Sequence, residues 1–584
     1  MLFFPTADED FKFFRSQGYT GSINDMHYKA MGDLGYTGSL NDRIHAYLTA
    51  TYGSFYEAMR DLRNGTSVLA LVGYRVLGLN PDLVFDFKQN YYRKGGTATT
   101  LSPAVTHTRA GQATMVDSDG LLKWAPHNLL RYSEQFNSWF IDGASPRGSV
   151  VANTTQAPDG TTTADSFSDS TASSYCMLFS VSIATSDSFG VYLKANTITE
   201  VGIKSRSGGV NNNDFTFINL TTGAVSATGT NMTGVTVTSV GNGWFFVTGT
   251  LVNKSYLGFS ASDGSQNVVF EGNGSTFFLW GAHTFRSDLG GMVNNPAQPA
   301  GFKTYVPTAS SAVYLPRVGH HVYNGSTWVN EGILHESEAR TNLLLNSGTL
   351  STQNVTVSAT LNTLSFTGTG RVTLTGVSTA GPLIGTGTGE NNRVKLTFTP
   401  TAGTLTLTVS GTVTNAQLEA GSTPSSYIAT NGSTATRAAE TLTVPAANLP
   451  YNSTNMSIQM DGKMTGNNLT HIRWFEDADD AILLETGTNN FTFTQEAGGT
   501  VDTVTGGSFT SGNLLAFNTA SRHGSGFING AISGTALTVN TTPSALPDLA
   551  DNNLVLGYDF MGTIAQFRMW DEDLTDSGIA EAST

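Results

Sequence analysis

Two short phrases recur along this chain and cut it into pieces that close independently. Asn128-Leu129-Leu130 opens one segment, and Asn342-Leu343-Leu344 opens another in the same way. Tyr305-Val306-Pro307-Thr308, running on to Pro316-Arg317-Val318, closes the first; Tyr427-Ile428-Ala429-Thr430, running on to Thr436-Arg437-Ala438, closes the second. A further arginine in this setting, Thr108-Arg109-Ala110, precedes the first opening. The stretch from Ile333 to Leu344 is therefore a seam, where one β module ends and the next begins. Length agrees with this division: 584 residues call for several domains, because single cores stop growing beyond about 250–300 residues.

Only 13% of residues are charged and Gly numbers 64, which could signal disorder. A hydrophobic share of 39%, with 33 Phe, argues against it, since a disordered chain lacks the apolar area to offset ordering entropy. Many short strands joined by polar turns fit better. A net charge of −15 argues against a nucleic-acid surface, which needs clustered Lys and Arg. The single cysteine, Cys176, allows no intrachain disulfide and no zinc held by several thiolates; it reads as a small buried hydrophobe. No apolar run is long enough to span a membrane. Met1 to Pro5 leads into Asp8, Glu9 and Asp10 and lacks the basic start and apolar core of a secretion signal, so synthesis in a cytoplasm is expected.

Residues 1–78 are the helical part. Gly18-Tyr19-Thr20-Gly21-Ser22-Ile23-Asn24-Asp25 returns as Gly35-Tyr36-Thr37-Gly38-Ser39-Leu40-Asn41-Asp42. In each copy glycines turn the chain, a Ser suits the N-cap, and an Asp three positions later can accept free amides and favours the helix dipole. Helices are expected over 23–32, 40–52 and 55–63, the last stopped by Asn64-Gly65. His27 and His45 read as ordinary helix histidines. This head is too thin for an enzyme, and docking or assembly suits it.

From Leu83 the period changes to two. Residues 79–127 read as a β connector, with a strand at 84–87 and a hairpin turning at Asp119-Gly120. Residues 128–319 read as a large module with strands at 189–194, 201–204, 244–247 and 277–282. A linking hairpin over 320–340 carries Asn324-Gly325, expected as a two-residue turn with positive φ at both positions. A short Thr-rich sandwich over 341–440 has strands at 355–358, 371–374, 393–399 and 404–409, and its polar strands suggest a core completed by neighbouring subunits. Residues 441–584 form the last domain, with an Asn529-Gly530 hairpin and a closing strand through Trp570.

Several of these phrases resemble known proteins. The Gly-Tyr-Thr-Gly-Ser repeat resembles segments of tailed-bacteriophage structural proteins. The run from Thr108-Arg109-Ala110-Gly111 through Gly120-Leu121-Leu122-Lys123 to Asn128-Leu129-Leu130-Arg131 is similar to a stock phrase of phage tail and fibre proteins. The first module resembles phage jelly rolls related to carbohydrate-binding modules, and 441–584 resembles the concanavalin-like sandwich of laminin-G and pentraxin type. These likenesses imply a mainly β fold: a helical head, tandem antiparallel jelly-roll sandwiches, and a C-terminal lectin sandwich.

No Gly-x-Ser-x-Gly elbow, phosphate loop or His-Glu-x-x-His is present. Glu336 and Glu338 read as an exposed polar strand face rather than an acid pair for catalysis. Glu476-Asp477-Ala478-Asp479-Asp480 is the densest acid cluster, either a solvated loop or a ligand or Ca²⁺ site. Asp159 and Asp165 are candidate Ca²⁺ ligands by the resemblance to carbohydrate-binding jelly rolls, and His320-His321 would need ligands from a partner chain. Trp244, Trp280 and Trp570 fall in strand patterns and read as core; Trp474, with Glu476, Asp477, Asp479 and Asp480 beside it, is the expected sugar platform, and Trp139 the next.

The reading is a non-enzymatic virion protein made in a bacterial cytoplasm. It is expected to be a tail-fibre or receptor-binding protein that meets host surface polysaccharide, attached to other virion proteins through residues 1–78. A head fibre or capsid decoration is the alternative, and a depolymerase tailspike is disfavoured because the short-period repeats of a β-helix are missing. A homotrimer is expected from analogy with fibres and spikes, which gain from symmetry and multivalency.

Overall fold

The computed structural model describes Lys29 and residues 81–584, apart from 144–147, 170–173, 181–187, 206–210, 253–255, 299–301 and 303. The expected helical head lies outside the described residues, save for Lys29. What is described is mainly β and antiparallel, as the sequence reading expected. Among these residues no helix is long and apolar enough to cross a membrane.

The chain divides into two compact units, and unit 1 holds residues up to Ala110, Met115–Gly120 and Pro316–Thr584. Its C-terminal sandwich is assembled from three separated stretches of sequence. A seven-stranded sheet runs, in spatial order, Thr500–Gly506, Phe491–Ala497, Ala481–Thr486, Thr470–Phe475, Leu554–Asp559, Glu440–Val444 and Thr106–Arg109. The facing sheet is built on the long strands Asn455–Gly466, Gly512–Gly524 and Met561–Trp570. Leu83–Asp86 pairs with Met561–Trp570 on one side of it, placing Phe85 opposite Phe567 with ring centroids 5.8 Å apart. Ile333–Glu336 pairs with Met561–Trp570 as well, and Arg317–Val318 pairs with Ile333–Glu336. Leu83, Phe85, Phe87, Ile333, Met460, Trp474, Phe493 and Phe567 share one core.

The stretches read as a connector (79–127) and as a linking hairpin (320–340) thus supply strands to the sandwich, which extends beyond 441–584. The reason is apolar phase. Leu83 and Phe85 alternate onto the core side, and only pairing with a distant strand buries them. The sandwich is a host chain interrupted twice, once between Arg109 and Arg317 and once between Glu336 and Glu440.

The first interruption contains unit 2, whose main body is Leu121–Leu315. It forms two six-stranded antiparallel sheets around Phe167, Leu178, Phe189, Val191, Ile203, Val247, Phe259 and Leu279. Cys176 is fully buried there, as expected. The second interruption is the short sandwich, with sheets of four and three strands. It buries a core of its own within one chain. Leu364, Phe366, Leu374, Leu405, Leu407 and Leu418 are buried, while the threonines of strand Gly403–Ser410 occupy the alternate positions.

The recurring phrases have one physical meaning in both modules. Asn128 donates through Nδ2 to the carbonyls of Val306 (2.8 Å) and Ala282 (3.3 Å), and its Oδ1 accepts from the amides of Leu130 and Thr284. Asn342 does the same with the carbonyls of Ile428 and Ala416 and the amides of Leu344 and Leu418. The Ser133 hydroxyl lies 2.9 Å from the Tyr305 hydroxyl and accepts from the Thr308 amide; Ser347, Tyr427 and Thr430 repeat this at 2.7 Å. Each lock joins the start of its module to the end, and every polar atom it buries finds a partner. The recurrence in sequence is a recurrence of this fastening.

Two turn expectations change. Strands His321–Tyr323 and Trp328–Asn330 pair Tyr323 with Trp328, so four residues turn the chain. Gly325 has φ +101, but Asn324 instead folds its Oδ1 back onto the amides of Ser326 and Thr327. Asn529-Gly530 lies inside the strand Phe527–Ile532, and the turn falls at Ser525-Gly526. Gly530 is there for close approach: a Cβ on it would lie 2.2 Å from the ring of Phe493. Gly530→Ala should therefore destabilise the sandwich by about 1–3 kcal/mol, as overpacked cores do. Chemical denaturation of the full chain measures it, and an unchanged midpoint would mean that the Phe493 ring yields freely.

Candidate functional site

The seam holds the densest chemistry in unit 1, and it is buried. Arg109, Arg317 and Arg437, the arginines of the recurring phrases, converge on Glu336 and Glu440. Arg317 reaches Glu440 at 2.6 Å and Glu336 at 2.8 Å, Arg109 reaches Glu440 at 2.5 Å, and Arg437 reaches Glu336 at 3.0 Å. Burial opposes charge on Glu336, but Arg437 and Arg317 outweigh it and hold the carboxyl down to about 2. Burial likewise opposes charge on Glu440, and Arg317, His107 and Arg109 hold it well below the usual range. The expectation of an exposed strand face at Glu336 is thus overturned: it is 3% exposed, because strand Ile333–Glu336 is covered on both faces. Glu338 is the exposed one and pairs with Arg340 at 2.7 Å. With both carboxylates ionised and saturated by guanidinium and hydroxyl donors, this cluster is built as a fastening. One carboxylate, Glu440, holds the residue just before the first interruption and the residue just after it.

The expected sugar platform is also corrected. Trp474 is 0% exposed and sits in the core, its indole N–H donating to the Asn552 carbonyl at 2.8 Å. It is opposite Ile482 and Leu554, in phase with buried Ile472. Trp139, the second choice, is buried against Phe136 and Phe259. Trp244, Trp280 and Trp570 are core, as expected.

The same strand carries the opposite phase outward. Arg473 and Phe475 are two residues apart on the outer face, with Leu483 and Val555 directly opposite Arg473 on the two neighbouring strands. An extra residue in Leu554–Asp559 shifts the register between Thr470 and Ile472, and Gly557, at φ +65, takes the bend. Its absent side chain matters, because a Cβ would come within 2.5 Å of the His335 ring. The bulge brings Tyr558 beside Arg473. The guanidinium carbon then lies 4.0 Å from the Phe475 ring centroid and 4.2 Å from that of Tyr558, and Tyr558 is 49% exposed. This stack is a flat, partly exposed aromatic surface with a cation in it, and bulges commonly re-aim side chains in this way.

The acid loop beside it is a solvated turn between Thr470–Phe475 and Ala481–Thr486. Glu476, Asp477 and Asp479 are exposed; Asp477 accepts from the Asp479 amide at 2.8 Å, and Asp480 from the Gly498 amide at 3.3 Å. In unit 2, Asp165 is fully buried and accepts the amides of Phe136 and Asn153, both at 2.9 Å. Burial still raises its pKa, against those bonds. Asp159 folds back on Thr161, bonding its amide at 2.9 Å and its hydroxyl at 2.7 Å. His320 accepts from the Val116 amide. Among the described residues no three His, Cys, Asp or Glu side chains gather as a metal-binding group.

No protein-family model matches the sequence, and no curated protein does. Solved structures of several other proteins show a partial likeness. The receptor-binding domain of a botulinum neurotoxin mosaic serotype C/D is 15% identical at a TM-score of 0.21, over 25% of this chain and 39% of that one. Domain 4 of the arabinanase AbnA from Geobacillus stearothermophilus, solved with arabinotriose, is 15% identical at 0.21, over 28% and 82%. A heptameric SAP-like pentraxin from Limulus polyphemus is 8% identical at 0.19, over 23% and 73%.

Proposed function

We propose that this chain is a non-enzymatic structural protein of a tailed phage or phage-like particle, a tail-fibre or receptor-binding protein whose C-terminal sandwich contacts host surface saccharide. Residues 1–78 would attach it to other virion proteins, and a trimer would multiply the contacts. The observation that carries the saccharide reading is the Phe475–Arg473–Tyr558 stack on the outer face of the seven-stranded sheet. A sugar ring offers one C–H face to an aromatic plane and hydroxyls around its edge. Tyr558 offers such a plane, and the neighbouring strands carry rows of hydroxyls, among them Thr441 and Thr108 with oxygens 2.5 Å apart. Stacking of this kind is worth about 1 kcal/mol, so a single site binds weakly and an array binds well, with avidity gains of roughly 10²–10⁴.

The test is binding of the full chain, multimerised on beads, to a panel of bacterial surface polysaccharides and to intact cells. Tyr558→Ala should cut binding per site by roughly tenfold, the equivalent of about 1.4 kcal/mol, while leaving the melting temperature unchanged. No binding to any saccharide by the intact protein would overturn the reading. Unchanged binding by the variant would move the site elsewhere on the sandwich.

A further inference from the structure

We propose that the saccharide bound at this stack is acidic, carrying a carboxylate that docks on the Arg473 guanidinium. This rests on the glycan-binding reading above and specifies its ligand. The argument begins with how arginines are used elsewhere in the chain. Arg317, Arg393 and Arg522 each hold a carboxylate at 2.6–2.8 Å. Arg473 is partly buried, yet among the described residues it has no carboxylate within ion-pair distance and donates no hydrogen bond. Its two faces are occupied by Phe475 and Tyr558.

Stacking fixes the plane of the guanidinium and leaves its N–H donors, which lie in that plane, without a partner. A fork held this way matches a planar carboxylate through two parallel hydrogen bonds, with less side-chain entropy lost than for a free cation. A pyranose ring laid on the exposed Tyr558 face presents a ring carboxylate at its edge, level with the adjacent fork. The surroundings restrict the charge that is tolerated. Glu485 and Asp559 stand opposite Thr470 at the far end of the strand, and the whole chain carries −15. These acids repel further anionic groups, so the one guanidinium takes a single carboxylate-bearing residue of a saccharide chain. An arginine that only shields apolar surface would also stack, so the unpaired donors are what point to a ligand.

The experiment uses the folded full chain and three immobilised probes, polysialic acid, alginate and polygalacturonate, each beside its carboxyl-reduced neutral product. A phosphodiester polymer and a neutral galactan complete the set. Binding to an acidic probe should fall about tenfold or more on carboxyl reduction, and by a similar factor in Arg473→Gln. Arg473→Lys, which keeps the charge without the fork, should fall between. Tyr558→Ala reports separately on the stacked ring. Equal binding to a probe and its reduced form, or preference for the phosphodiester polymer, overturns the carboxylate and leaves the glycan reading standing. Full binding by Arg473→Gln alongside loss in Tyr558→Ala does the same. No binding to any probe overturns both.

Discussion

A chain carrying Glu440→Ala should lose about 3–5 kcal/mol of stability in the unit that contains the C-terminal sandwich, the cost of breaking a buried ion pair from one side. The substitution leaves Arg109 and Arg317 buried with their principal counter-charge gone. It also removes the acceptor for the Glu336 amide, which bonds Glu440 at 2.9 Å. Glu440→Gln keeps shape and one acceptor, and should fall between wild type and Ala. The desolvation cost of this cluster is large, so its presence is not by itself a gain over apolar packing. What it supplies is place: the last residue before the first interruption and the first after it are held by one carboxylate. Denaturant unfolding followed by sandwich tryptophan fluorescence measures the loss. A cost below 1 kcal/mol would show that water reaches the arginines and that the fastening is loose.

The modular plan was legible because its punctuation repeats. Asn128 and Asn342, Tyr305 and Tyr427, recur in matching phrases, and each is half of a lock. The host sandwich was only half legible. Its late strands alternate plainly, but Asp86 faces Gln566 across most of the chain's length, and a single sequence carries no sign of such pairing. Glu336 was misread because alternation assumes one wet face. Strand Ile333–Glu336 is buried throughout, so its polar residues point inward too, toward partners far away in sequence. Trp474 was misread for a different reason. Acids follow it, but nearness to charge along the sequence is not exposure. The phase was available in Ile472-Arg473-Trp474-Phe475: a charged residue at 473 puts Trp474 with Ile472, on the core side. Asn529-Gly530 has the chemistry of a turn, but the Phe493 ring needed the space and the strand ran through.

Acid should unfold unit 1 through its buried histidines, and His471 is the one to isolate. Burial lowers His320, His471 and His523 to about 3 and His335 to about 4. Each is neutral in the fold and gains a proton only when the chain opens. A lowered histidine therefore contributes its full stability above the unfolded value near 6.5, and loses it as pH falls from there toward 3–4. Asp86 works the other way. Burial raises it to about 6, so its contribution grows as pH falls from 6 toward 3.8, offsetting part of one histidine. The glutamates of the seam add a further loss below about 4.5, since Glu336 is held down to about 2. Burial also raises Asp82, Glu419, Asp461 and Glu572, which offset the histidines in the same sense, but the histidines carry the larger shifts, and net destabilisation between pH 6.5 and 4 follows. His471 is boxed by Phe517 and Phe560, with ring centroids 4.6 and 5.2 Å away, and neither of its nitrogens has a hydrogen-bond partner. His471→Leu removes two unsatisfied atoms, so it should be neutral or stabilising at pH 7. Its advantage over wild type should then grow by about 3 kcal/mol between pH 7 and 4, from roughly 1.4 kcal/mol per pH unit below 6.5. Urea midpoints of both chains across that range give the difference directly. Parallel curves for the two would mean that the His471 ring takes up its proton in the folded state, with water or a rearranged partner inside the box.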